Sequence, residues 1–184
     1  MNEIEAKQLL LEKVQNKNLV KHCLAVGVIM EFLAKSFNQD VIDWKITGLL
    51  HDIDYEATKD NPSRHSLEGA AALKTLGLTD EIVEAVKTHN EAHGIAPQSL
   101  MAKALYVSDP ISGLIVAAAL VLPSKKLSDL NADNIVNRFN EKSFAKGAKR
   151  EIISKCQEYL DLSLKDFSQI SLNAMQKISS DLEL

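Results

Sequence analysis

Leu19-Val20-Lys21-His22-Cys23-Leu24-Ala25-Val26-Gly27-Val28-Ile29-Met30-Glu31-Phe32-Leu33-Ala34-Lys35-Ser36-Phe37 places apolar residues at Leu19, Cys23, Val26, Met30, Leu33 and Phe37. Steps of four, three, four, three and four are the repeat of a helix with one buried face. His22 falls at the edge of that stripe, beside Val26 and Leu33. A polar group there is neither sealed in a core nor freely solvated, which suits one facing an internal cleft. The next apolar segment ends in Ile46-Thr47-Gly48-Leu49-Leu50-His51-Asp52-Ile53-Asp54, where an imidazole and a carboxylate stand side by side. Neutral nitrogen and anionic oxygen donors together suit a hard-to-borderline divalent metal.

The rest of the chain extends the helical reading. Its 184 residues are about the size of one domain, large enough for a full core. Apolar residues make up 46% and charged residues 25%, as in ordinary globular domains, which argues against disorder. Few glycines, prolines and aromatics, with Ala, Leu, Lys, Glu and Ile dominant, favour helices over strands and tight turns. The fold class is all-α. Helices are expected over about 3–15, 19–37, 39–52, from Ser63 as N-cap to Leu76-Gly77, and from a Thr79 cap. Another is expected from Pro97 to Leu122, with Pro110 kinking or restarting it, and further helices over 132–140, 144–160 and 164–184. The residues from Asp54 to Ser63 are expected as a loop bordering a site. The stripe Phe167, Ile170, Ala174, Ile178, Leu182 is either core packing or a homodimer seam.

Charge and cysteine content exclude several classes. A net charge of −4 argues against a nucleic-acid polymer or an anionic membrane as partner. Two divalent cations would supply about four positive charges, so a metal-loaded site could still attract an anion. Cys23 and Cys156 form no CxxC unit, and the longest apolar run, Leu114 to Leu122, is too short to span a bilayer. With an acidic, amphipathic N-terminus unlike a signal peptide, the expectation is a cytoplasmic protein.

All five histidines, at 22, 51, 65, 89 and 93, lie between residues 22 and 93. His22, His51, His65 and His89 each fall on a different expected helix or helix end, and Asp52 and Asp109 add carboxylates in similar settings. One donor per helix is how bundles commonly build metal sites. His89 and His93 are four apart, but Glu91 is not adjacent to His89 as a zinc-protease helix requires, so His93 is read as a rim or solvent residue. Asp129 to Asp133 imitates a calcium loop yet lacks its glycine and final glutamate, and is read as a helix-capping loop. Arg138 and Arg150 are read as surface ion-pair residues.

The ordered set His22, His51-Asp52, His65, His89, Asp109 resembles the HD-domain superfamily of metal-dependent phosphohydrolases, whose two-metal members show H…HD…H…H…D. Local contexts agree at Lys21 to Val26, Leu49 to Asp54, His65 to Ala70, Lys87 to His89 and Ala104 to Asp109. The resemblance covers about residues 18–122 of a single HD-type bundle spanning 1–184, with 123–184 a C-terminal helical elaboration. It implies one or two divalent cations, iron or manganese favoured, with zinc, magnesium, nickel or cobalt also admissible. His22, His51, Asp52 and Asp109 would hold the first, His65 and His89 the second, and Asp52 would bridge them and serve catalysis. The implied activity is hydrolysis of a phosphate ester by metal-activated water, on a nucleotide or similar small phosphorylated molecule.

A di-iron oxygenase and a non-catalytic metal-stabilised binding module are the other implied classes. Where many two-metal members read His-Asp-Ile-Gly-Lys, this chain reads His51-Asp52-Ile53-Asp54-Tyr55. Asp54 is therefore a second candidate catalytic residue, orienting water or accepting a proton. Phosphate contacts would fall to Arg64, Lys103 or the pair Lys125-Lys126. No Gly-Tyr-Pro triplet of cyclic-dinucleotide phosphodiesterases is present, and a nearer likeness is to HD-type diadenosine tetraphosphate hydrolases.

Overall fold

The computed structural model describes residues 1–184 and contains helices only. In order they are α1 (Glu3–Lys13), α2 (Lys17–Ser36), α3 (Val41–Leu50), the single turn α4 (Tyr55–Thr58), α5 (Leu67–Thr75) and α6 (Asp80–Thr88). Then come α7 (Leu100–Leu120), α8 (Ala132–Asn140), α9 (Arg150–Ile153), α10 (Cys156–Leu160), α11 (Leu164–Lys177) and α12 (Ser179–Leu182). Their starts follow from side-chain caps. Asn2, Asn16, Asp40, Thr79, Ser99, Asn131 and Ser163 each accept a backbone N–H of the first turn. Each such cap supports its helix by about 1 kcal/mol.

The two longest helices, α2 and α7, form the centre. Cys23, Val26, Met30 and Leu33 of the sequence stripe are all fully buried, and α2 packs on α3, α7 and α11. The approach of α2 to α3 is close because glycines meet there. A Cβ at Gly48 would lie 2.7 Å from the Cα of Gly27. Helix α7 is long and apolar enough by length and composition to cross a membrane, although no single apolar run suggested it. Here that helix is mostly buried, packed against α2, α6 and the C-terminal helices. Leu10 of α1 and Met175 of α11 belong to the same hydrophobic cluster as α2 and α7. Phe167, Ala174 and Leu182 are buried in it too, so the last apolar stripe is core packing rather than a dimer seam.

Four local expectations change. Helix α5 starts at Leu67, not after Ser63; Ser66 precedes it at φ 69°, and the Ser63 hydroxyl donates to Asn61 instead. The Asp54–Ser63 stretch contains the turn of helix α4. Helix α7 runs through Pro110 without restarting. Proline removes one backbone donor, but Tyr106, Val107, Ile111 and Leu114 on either side are buried and hold both halves of the helix in the core.

The expected helix over 144–160 is two short ones, preceded by a loop that Arg150 ties down. Its guanidinium donates to the carbonyls of Arg138, Phe139, Phe144, Ala145 and Ala148 at 2.5 to 3.3 Å. A cation that ends five carbonyls in this way is not a surface ion-pair residue. Arg138 does pair with Glu141, at 2.8 Å, and residues 129–133 do form a capping loop, closed by a reciprocal Asn131–Asn134 box.

Candidate metal centre

The helices deliver six side chains to one point. His22 projects from α2, His51 and Asp52 follow the end of α3, His65 lies just before α5, His89 follows α6, and Asp109 lies midway along α7. Two of the histidines use helix ends. The last carbonyls of a helix lack intrahelical donors, and the Nδ1–H groups of His51 and His89 fill two of them. They donate to the Gly48 carbonyl at 2.8 Å and the Val86 carbonyl at 2.7 Å. His65 donates from Nδ1 to Asp54 Oδ1 at 2.9 Å. The Ser112 hydroxyl donates to the Asp109 carbonyl at 2.8 Å, leaving its oxygen to accept His22 Nδ1–H at 3.1 Å. With an acceptor at every Nδ1, each ring in its neutral form turns a lone pair outward at Nε2.

Those four lone pairs converge on Asp52. Its Oδ2 lies 3.7 Å from His22 Nε2 and 3.6 Å from His51 Nε2, while its Oδ1 lies 3.3 Å from both His65 Nε2 and His89 Nε2. Within each pair the Nε2 atoms are 3.2 Å apart. Two imidazole lone pairs facing each other at that distance repel unless a cation or a proton lies between them. Donors bound at about 2.0–2.2 Å to one metal sit about 3–3.5 Å from each other, so the spacing fits two cations that share Asp52. Asp109 Oδ1 adds an oxygen donor 3.1 Å from His22 Nε2. Asp109 and His22 are the members with the most exposed side chains, so the open side of the site lies between α2 and α7.

The electrostatics match a cation site. Burial raises the Asp52 carboxyl, but the surrounding His51, His65 and His89 outweigh it and hold it well below the usual range. Asp109 is likewise lowered, by its bond to His22 against the effect of burial. Burial pushes His51 down to about 4, so its ring is a neutral donor at ordinary pH. Burial also pulls His65 down, yet its bonds to Asp52 and Asp54 win and raise it to about 9.

These two shifts predict how the metal-free protein responds to pH. The proton on His65 stabilises the fold fully below pH 6.5, and that contribution is lost as pH rises towards about 9. The neutral ring of His51 stabilises above pH 6.5, and that contribution is lost as pH falls towards about 4. Thermal melts in chelator should therefore peak near pH 6.5, and cation loading should flatten the alkaline side by replacing the proton. A metal-free melting temperature that stays level from pH 6.5 to 9 would refute the His65 assignment.

Not every residue singled out by sequence joins the cluster. Asp54 is buried behind His65, with Oδ2 accepting the Gly69 N–H at 2.7 Å and Oδ1 taken by His65. Both oxygens are thus engaged away from the Nε2 face. A side chain at Gly69 would crowd that carboxylate, at 3.1 Å from its carbon. Arg64 pairs with Glu68 one turn along, and Lys103 lies over the Tyr159 ring at 5.9 Å, so both expected phosphate ligands have other partners. His93, expected at the rim, donates from Nε2 to the His65 carbonyl at 2.7 Å and steadies that backbone. Ser112 was not anticipated, although its spacing of three from Asp109 puts both on one face of α7.

Comparison with known proteins agrees with this geometry. The family model described as HD domain matches residues 19–119. The chain is 30% identical over 139 residues to Ribonuclease Y of Lawsonia intracellularis (strain PHE/MN1-00), covering 74% of this chain and 26% of that protein. It is 31% identical over 142 residues to Ribonuclease Y of Nitratidesulfovibrio vulgaris (strain DP4), covering 74% and 27%. It is 32% identical over 152 residues to Ribonuclease Y of Desulfotalea psychrophila (strain LSv54 / DSM 12343), covering 79% and 28%. The chain thus spans about a quarter of the length of these curated relatives. No solved structure matches it. The relatives' name overturns the expectation that nucleic-acid polymers are excluded as partners. That expectation came from net charge, which averages over a whole surface and says nothing of a local field.

Proposed function

Because the chain belongs to the HD-domain family, we propose that it is a metal-dependent hydrolase of phosphodiesters and that RNA is its substrate class. One observation carries the reading: Asp52 turns one oxygen to the His22 and His51 Nε2 atoms and the other to those of His65 and His89. Cations held in that way would supply an acidified water and neutralise the charge that develops on a phosphoryl group. His22, His51, Asp52 and Asp109 would hold one, and Asp52, His65 and His89 the other. Asp54 and Ser112 act as positioning residues, since they fix the ring orientation of His65 and His22. Four imidazoles and two carboxylates without a thiolate suit iron or manganese.

No side-chain nucleophile is needed. Cys23, the nearest thiol in sequence to the site, is buried, and burial followed by the charges of Asp52 and Asp109 pushes its pKa well up. It therefore stays protonated and inert. Support for RNA comes from the ribonuclease relatives.

The test is turnover of single-stranded RNA, single-stranded DNA and a panel of mononucleotides by protein loaded with Mn2+. Chain cleavage of RNA that stops in chelator and returns with Mn2+ is the expected result. Hydrolysis confined to mononucleotides would overturn RNA as the substrate class. Loaded protein that leaves every phosphodiester intact would overturn the hydrolase itself.

A further inference from the structure

Two cavities open on the metal centre, and both follow α7. One, of about 460 Å3, is walled by Lys21, His22, Val116 and Leu120 and reaches Leu182–Leu184. The other, of about 300 Å3, is walled by His22, Asp109 and the Ala145–Ala148 loop that Arg150 holds in place. They share His22 and Gly113. A third cavity, of about 700 Å3 and carrying Lys125 and Lys126, meets the first at Glu183 and Leu184.

Gly113 lies within α7 on the wall common to the first two cavities, and a Cβ there would meet nothing within 4 Å. A glycine inside a helix costs about 1 kcal/mol relative to alanine, and no packing neighbour requires one here. What its missing side chain leaves open is the passage between the cavities. Beyond it, Lys21 forms an ion pair with Glu183 at 2.6 Å, a carboxylate standing where a phosphate could. The Glu183 side chain is largely exposed while that of Lys21 is half-buried, so Glu183 can swing out and leave Lys21 in place.

We propose that the three cavities form one groove across the metal centre, and that it binds a single-stranded polynucleotide rather than a mononucleotide. This deepens the hydrolase reading above and rests on it. From Asp109 to Leu120 the groove follows α7 for about 16 Å, and past Leu120 it continues by Glu183 and Leu184 to Lys125 and Lys126. The scissile phosphate lies at His22 and Asp109. Neighbouring phosphates meet Lys21 and, further along, Lys125 and Lys126, while base faces lie on Val116, Leu120 and Leu182. Lysine contacts to phosphate with aliphatic contacts to bases give binding that tolerates sequence and weakens with salt.

The test compares an oligoribonucleotide of about 12 nucleotides with bis(p-nitrophenyl) phosphate on the metal-loaded full chain. Gly113→Leu should lower the ratio of kcat/KM, oligonucleotide over small diester, at least about tenfold by blocking the passage. Lys125→Ala/Lys126→Ala should raise KM for the oligonucleotide and reduce the slope of log affinity against log salt by about 2. If Gly113→Leu does not fold, the lysine variant and its salt slope decide alone. A kcat/KM ratio that moves in neither variant, or an unchanged salt slope, overturns the groove. If the wild type cleaves neither substrate, the hydrolase reading fails separately. Fluorescence anisotropy of the labelled oligonucleotide then still reads the groove through the same salt slope.

Discussion

Asp52→Ala is expected to remove both cations together and to lower kcat/KM at least about a thousandfold, close to 4 kcal/mol of barrier. The reason is geometric. Each of the four histidines contributes a single Nε2, and each lies 3.3 to 3.7 Å from an Asp52 oxygen, so no other side chain faces all four. Without the carboxylate, four neutral imidazoles and Asp109 would have to offset two dications. Asp52→Asn should be nearly as damaging, because an amide keeps the shape but loses the charge and one of the two acceptor oxygens. His89→Ala removes a donor from one side only, so it should lose one cation and keep the other. Elemental analysis of protein as purified, beside RNA turnover, separates these outcomes. Two metals per chain in Asp52→Ala, or turnover within tenfold of the wild type, would remove Asp52 from the bridging position.

The six converging side chains were legible in the sequence because each interrupts an apolar pattern. His22 sits at the edge of a buried stripe, and His51-Asp52 ends a segment whose last residues, Ile46 to Leu50, are all buried. What the sequence concealed is of a different kind. The roles of Ser112 and Asp54 depend on which ring nitrogen each histidine turns outward, and no spacing encodes that. Arg150 reads as one more surface cation until the loop carbonyls it collects are brought together in space. Lys125-Lys126 stood out as an adjacent pair, whereas Lys21, about a hundred residues earlier, gave no sign of lying on the same side of the fold and vanished into a net charge of −4.

Gly48→Ala is the second large effect, and it concerns the frame that makes the site possible. The new Cβ would lie 2.7 Å from Gly27 Cα, 2.8 Å from Gly27 N and 2.8 Å from the Val26 carbonyl carbon. All three are backbone atoms, so no side chain can rotate away and α3 must move off α2. Overpacking of this kind costs about 1–3 kcal/mol, only partly offset by alanine's better helix propensity of about 1 kcal/mol.

For a chain of this length, 1 kcal/mol shifts the melting temperature by about 2–4 °C, so a fall of several degrees is expected. The larger consequence is at the metals. His51 follows α3 directly and bonds the Gly48 carbonyl, while His22 lies on α2, so separating the helices draws the two Nε2 atoms apart from 3.2 Å. Cation affinity should fall about 10–100-fold, as it does when a ligand's support is lost. Gly27→Ala should be milder, because its Cβ would meet chiefly the Leu49 side chain, at 3.0 and 3.1 Å, which can turn aside. Thermal melts and metal titrations of the two variants test the argument by their order. If Gly48→Ala melts no lower than Gly27→Ala and binds cations as tightly, close backbone contact between α2 and α3 is not what sets the spacing of His22 and His51.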